Sequence, residues 1–331
     1  MHTYISTEMK GVNLAKIKQL NCSYNKLTSL DGIQQLVNLQ TLDCRGNHLK
    51  SLYGIQQLVK LQELDCSYNQ LTSLDGIQQL VNLRELDCSD NQLTSLDGTK
   101  QLVNLQTLRC SDNQLITLDG IKQLVNLWEL DCVSNELTSL DGIKQLVNLQ
   151  TLHCGGNQLT TLDGIQHLVN LREINCVGNL RTSLDCVRQL VNLRSLDCGG
   201  NQLTTLDGIQ QLVNLQILSC NYNELTSLDG IQQLVNLREI NCGDNQLTTL
   251  DGIQQLVNLR KINCENNIFS VHDEYSRTGI TIIKNNLIYD TVKIQQSKEE
   301  SEDEAEEKAE EKAEDEAEEK AEDESEEKAE E

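Results

Sequence analysis

Twelve cysteines stand in this chain at one interval of 22 residues, from Cys22, Cys44 and Cys66 through to Cys242 and Cys264. A period of this length marks a solenoid, in which one repeat cannot bury its apolar side alone and must stack on its neighbours. Aligned on cysteine, the repeats share one frame. A leucine lies five residues before (Leu39, Leu61, Leu83) and another two before (Leu42, Leu64, Leu86). An asparagine lies three after, from Asn25 and Asn47 to Asn245 and Asn267. The consensus reads LxxLxCxxNxLxxLDGIxxLVN.

In LxxLxC, Leu42 and Cys44 alternate with Thr41 and Asp43, which is strand periodicity with one side in and one out. Stacked coils then build a parallel sheet, and twelve strands spaced about 4.8 Å apart give a body roughly 50–60 Å long. The asparagine is placed to satisfy backbone groups where the chain leaves the sheet. Asp-Gly permits a turn with positive φ. The following IQQLVNL suits a short 3₁₀ or irregular turn on the convex side.

These spaced positions resemble the leucine-rich repeats, in the 22-residue form of bacterial internalins and of the protein phosphatase-1 regulatory subunit. The resemblance covers residues 17–268. It implies an α/β solenoid, a horseshoe with its parallel sheet on the concave face. One departure is systematic: cysteine stands where the family has its third leucine.

A single file of inward thiols cannot close a tetrahedron around zinc. Parallel Cβ vectors also hold neighbouring cysteines farther apart than a disulfide prefers. Reduced cysteine in a core behaves as a small hydrophobe, and twelve such thiols point to a reducing, intracellular location. The N-terminus, MHTYISTEMKGVNLAK, lacks a secretory pattern, and no apolar run is long enough for a transmembrane helix.

One repeat is irregular. Cys186 occupies the turn position that holds Gly164 or Gly208 elsewhere, and Leu180-Arg181 reverses the usual polar-leucine order. An unpaired buried arginine is costly. The expected arrangement therefore turns Leu180 in and Arg181 out. Cys186 reads either as drift in a redundant array or as an exposed regulatory thiol.

Residues 1–16 are expected to cap one end of the array. Residues 269–297 contain two β-rich runs around Asn285-Asn286, read as a hairpin cap at the other end. Residues 298–331 hold 21 acidic residues and 5 lysines. That tail carries two thirds of the net charge of −24 and is expected to be disordered with transient helix.

The candidate partner surface lies in two outward columns of the strand. One includes Glu63, Glu85 and Glu129; the other includes Asp43, Asp65, Asp87, Arg109, Asp131 and His153. Like charges at strand spacing repel unless matched, so Arg109 is expected to pair with Asp87, Asp131 or both. Trp128, the one tryptophan, stands where other repeats have Gln or Arg, a candidate interface anchor. Tyr24, Tyr68 and Tyr222 share a further outward column.

No catalytic residue, cofactor site or metal site is legible. The five histidines do not cluster, and there is no phosphate loop or nucleophile elbow. The negative charge and the lack of a basic stripe argue against nucleic acid. The leading reading is a monomeric, non-enzymatic scaffold that binds a protein with a basic surface on the concave face. A second reading uses the tail, since an array followed by an acidic tail resembles the acidic leucine-rich nuclear phosphoproteins, which implies binding of basic proteins such as histones. A third is an array expanded by duplication, with no strong partner.

Overall fold

A computed structural model describes residues 13–269, 281–284 and 287–290. Twelve three-residue strands, from Gln19–Asn21 to Lys261–Asn263, lie side by side in chain order. Each pairs in parallel with the next at a shift of one repeat, so that Leu42 faces Leu64 and Asp43 faces Asp65. The helical elements among the described residues are three-residue 3₁₀ turns. The molecule is thus the horseshoe that the repeat implies. Thr281–Lys284 continues the sheet in parallel, and Leu287–Asp290 pairs antiparallel on it. At the other end, Leu14–Lys16 forms a turn whose Ala15 N–H bonds the Asn13 side chain. The acidic tail and residues 1–12 of the expected N-terminal cap lie outside the described residues.

Each coil feeds one continuous core. Leu39, Leu42, Cys44, Leu49, Leu52, Ile55 and Leu58 are all fully buried, and the same set returns coil after coil. Burying one such aliphatic side chain stabilises by about 1.5–3 kcal/mol. No coil could collect that alone, because its neighbours form the walls of its core. All twelve periodic cysteines are buried free thiols. Several point across to the next coil: the Cys66 thiol donates to the Asp87 carbonyl at 3.3 Å and Cys110 to that of Asp131 at 3.2 Å.

The asparagine column does what its position suggests. Asn113 Nδ2 donates to the carbonyls of Cys88, Cys110 and Ser111 at 3.0–3.2 Å, and its Oδ1 accepts from Leu93 N at 2.9 Å. One side chain thereby closes its own turn and ties it to the preceding coil. Asn69, Asn91 and Asn135 repeat the pattern.

The convex turns divide into two kinds, which the recurring Asp-Gly does not reveal. Where Gln follows two residues after glycine, glycine takes positive φ and its N–H bonds the Gln side chain. Gly76 has φ +107°, with Gln78 Oε1 at 2.8 Å. Where Lys or Arg stands there instead, a 3₁₀ turn starts at the aspartate, and an ion pair closes it. Lys100–Asp97, Lys122–Asp119, Lys144–Asp141 and Arg188–Asp185 are 2.7–2.9 Å apart. Gly98, Gly120 and Gly142 accordingly do not adopt positive φ. Gln can accept the glycine N–H, whereas Lys and Arg can only donate and turn to the carboxylate. Cys186 sits in a turn of the second kind, Asp185–Val187, where no left-handed backbone is required of it.

The irregular coil corrects one expectation. Arg181 is fully buried and Leu180 is 48% exposed. The backbone pattern explains this: Leu180 N bonds the Leu159 carbonyl, and Arg181 N bonds Asn201 Oδ1, as the leucine at this position does in other coils. With the asparagine ladder in register, residue 181 must face inward whatever its side chain. The guanidinium donates to the Ser183 carbonyl at 2.8 Å and to the Cys176 thiol at 2.8 Å, with Cys186 Sγ 3.6 Å away. Its buried Nε has no partner. Cys186 is thus half-buried beside a guanidinium rather than an isolated exposed thiol.

Candidate functional site: the concave face and its strand-start flank

Each of the twelve three-residue strands turns its first and third side chains toward the concave face, flanking one buried leucine or isoleucine; of these Thr107 is covered. The second outward column has a local task that sequence reasoning missed. Asp65 Oδ1 accepts the Ser67 backbone N–H at 3.0 Å, Asp87 that of Ser89 at 3.0 Å, and Asp131 that of Val133 at 3.1 Å. Asp43 accepts from Arg45 N at 3.2 Å, and Asn175 from Val177 N at 3.1 Å. These are Asx turns, in which a short acceptor side chain satisfies a donor two residues on. The recurrence of Asp and Asn in this consensus was the available signal.

The column is also less uniformly acidic than its sequence implies. Arg45 bridges Asp43 at 3.1 Å and Asp65 at 3.2 Å, and Asn21 Nδ2 donates to Asp43 at 2.9 Å. Arg45 was not among the expected surface residues, because it lies one place beyond the cysteine. Asp87 is less well matched. Burial raises its carboxyl above the usual range, the Ser89 hydrogen bonds oppose that shift, and the Asp65 carboxylate adds to it. The cysteine beneath is held protonated: burial, with Asp43 adding, pushes the Cys22 thiol up to about 12.

Arg109 and His153 cannot make an Asx turn, and both reach diagonally to the next strand instead. Arg109 Nη2 lies 2.6 Å from Glu129 Oε1, and His153 Nε2 lies 3.1 Å from Glu173 Oε1. The expected pairing of Arg109 with Asp87 or Asp131 is therefore replaced by one with Glu129, which stands opposite Thr107 in the register. The reason is reach: the directly opposed aspartate is turned back onto its own backbone, while Glu129 is long enough to meet the guanidinium.

The structure gathers Arg109, Glu129, Asp131 and His153 on three adjacent strands, with Glu63, Glu85 and Asp87 on the two strands before them. Glu63 and Glu85 face solvent, and Glu63 accepts from the Thr41 hydroxyl at 3.2 Å. Trp128 stands apart from these columns. It is the residue before the strand, 41% exposed, in the flank position held by Gln106 and Gln150 in neighbouring coils. Tyr24, Tyr68 and Tyr222 adopt positive φ at the turn beyond the cysteine, and their rings are exposed. Near the last coils, Ile217 is 45% exposed beside a small depression of about 150 Å³ that includes Glu239 and Lys261.

Among the described residues no group of three His, Cys, Asp or Glu side chains is placed to hold a metal ion. Among those residues, too, no helix is long and apolar enough to cross a membrane.

With this geometry in place, the comparisons agree with it. A family model described as leucine-rich repeats (2 copies) matches residues 16–57, 59–100, 147–189, 191–233 and 235–271. This chain belongs to the leucine-rich-repeat family. A leucine-rich-repeat protein of Leptospira interrogans is 33% identical, with 78% of this chain and 75% of that one covered and a TM-score of 0.70. The functional domain of InlJ from Listeria monocytogenes, described as including a cysteine ladder, is 30% identical. That match covers 82% of this chain and 64% of that one, with a TM-score of 0.71. An internalin of the same organism, InlF, shares the fold at 21% identity and a TM-score of 0.71, over 86% of this chain and 94% of that one. No curated protein matches the sequence significantly.

Proposed function

We propose that this chain is a non-enzymatic scaffold that binds a protein partner along its concave face, centred on the strands from Glu85 to Glu173. One observation carries the reading. In these coils the Asx column is broken twice, at Arg109 and at His153, and each break places a basic or titratable group against a glutamate of the next strand. Elsewhere the column repeats a structural device, Ser219 apart, whose hydroxyl donates to Asn221 Oδ1 at 2.8 Å. Here it changes into side chains that no turn requires. A solenoid's concave face is an extended binding surface, and half-exposed Trp128 at its margin is of the type that anchors interfaces. The exposed Glu63 and Glu85, with the incompletely matched Asp87, favour a partner presenting basic side chains.

The test is capture of partners from lysate at low and moderate salt. It compares the intact chain, a charge-swapped Arg109→Glu/Glu129→Arg chain, Trp128→Ala, and residues 1–297. Capture retained by residues 1–297 at moderate salt and lost in the concave variants supports the reading. Capture that follows the tail and ignores the concave variants overturns it.

A further inference from the structure

The flank where each strand begins changes character halfway along the array. The column there runs Gln40, Gln62, Arg84, Gln106, Trp128 and Gln150, and then Arg172, Arg194, Gln216, Arg238 and Arg260. Its backbone is one continuous ladder: Arg194 N bonds the Arg172 carbonyl, Arg238 N that of Gln216, and Arg260 N that of Arg238. The side chains of Arg172, Arg194 and Gln216 line a groove of about 440 Å³ with Asn170, Asn192 and Asn214. Each of these asparagines donates through Nδ2 to a valine carbonyl of the preceding coil, which fixes the groove floor. Arg172, Arg194, Arg238 and Arg260 are all exposed. Among the described residues none of the four makes an ion pair. Four guanidiniums with no ion-pair partner among the described residues thus stand in one file on a protein whose net charge is −24.

The same flank is where the chain leaves the sheet. Thr281 N bonds the Arg260 carbonyl, and Asp290, the last residue of the final strand, stands opposite Thr281. The chain that follows Asp290 therefore begins on this same flank, two strand positions beyond the last arginine of the file. It continues into residues 298–331, with 21 acidic residues against 5 lysines. From Arg172 to Arg260 is four strand steps, about 19 Å. A segment as long as 298–331 reaches on the order of 100 Å when extended. The connection is short, so the tail meets the file at an effective concentration in the millimolar range.

We propose that the acidic tail of this same chain lies along the asparagine–arginine groove, with its carboxylates paired to Arg172, Arg194, Arg238 and Arg260. Guanidinium matches carboxylate in a planar, two-pronged geometry, and successive acidic residues offer that partner repeatedly. The pairs are exposed to solvent, so salt weakens them, and a basic protein can draw the tail away. The groove is then a resting place for the tail, and occupancy of the groove and binding of basic partners by the tail exclude one another.

Alanine makes this testable on the intact chain. Six of the seven alanines lie in the tail, at 305, 309, 313, 317, 321 and 329, and the seventh is Ala15 in the opposite turn. Selective ¹⁵N-alanine labelling therefore reports the tail almost alone, with Ala15 as an internal reference. In low salt the tail amides should be shifted and broadened. High salt should release them, and so should the fourfold Arg→Gln variant at 172, 194, 238 and 260, while an Arg→Lys set retains part of the shift. Circular dichroism confirms that the variants remain folded. Tail amides identical in the native chain and the Gln variant overturn the proposal. So does a shift that disappears on dilution, which would place the tail on a second copy.

Discussion

The two sides of one three-residue strand obey different rules. Facing inward, the Leu and Cys columns and the Asn ladder beside them repeat in nearly every coil, and each position follows from packing or from a backbone donor that must be met. Facing outward, the residues vary, but not freely. Asp65, Asp87 and Asp131 satisfy their own strand ends, while Arg109 and His153 do not and turn to glutamates of the next strand. An outward residue is therefore informative about binding only after its backbone role has been subtracted.

The inward side should yield first to alkali. Burial holds the column protonated, with Cys22 moved from 9.0 to about 12 and Cys176 to about 11. A raised thiol pKa contributes stability that is complete below the unfolded value and is lost as pH rises towards the folded one. Each thiol ionised only in the unfolded chain removes about 1.4 kcal/mol per pH unit. A steep, cooperative unfolding between pH 9 and 12, followed by circular dichroism, is the expected outcome. Retained structure throughout that window would contradict the buried column.

The asparagine ladder comes next. Asn113→Ala removes one acceptor and three donor contacts and leaves buried backbone groups unpaired, an expected loss of about 4 kcal/mol in chemical denaturation. Arg181→Leu should act in the opposite sense. It replaces a buried guanidinium having an unpartnered Nε with the side chain that other coils use, and should stabilise by about 2 kcal/mol. Asp131→Ala should cost only about 1 kcal/mol through its Asx bond, and Asp131→Asn should restore it. Equal losses for Ala and Asn would mean that charge, not the turn, explains this column.

The period, the inward leucines and cysteines and the task of asparagine were legible in the sequence, because each is a repeated solution to one backbone problem. Arg181 was not. Side-chain cost argued for turning it out, but the ladder holding Asn179 and Asn201 in place decides the facing of residue 181. The two kinds of convex turn hid behind a shared Asp-Gly, because the deciding residue lies two places on. The partner of Arg109 is not legible in the sequence, because register alone does not show that the facing aspartates are already engaged. The arginine flank corrects the expectation that the chain lacks a basic stripe: Arg172, Arg194, Arg238 and Arg260 are scattered in sequence, and only the stacking brings them into file.

The concave site is tested most directly by a photo-crosslinking amino acid placed at Thr151, outward between Glu129 and Glu173, and separately at Gln123, exposed on a convex turn. Each intact chain is irradiated in lysate. A discrete adduct from position 151 and none from 123 is the expected result. An adduct from 123 alone, or equal adducts from both, would contradict recognition through the concave face.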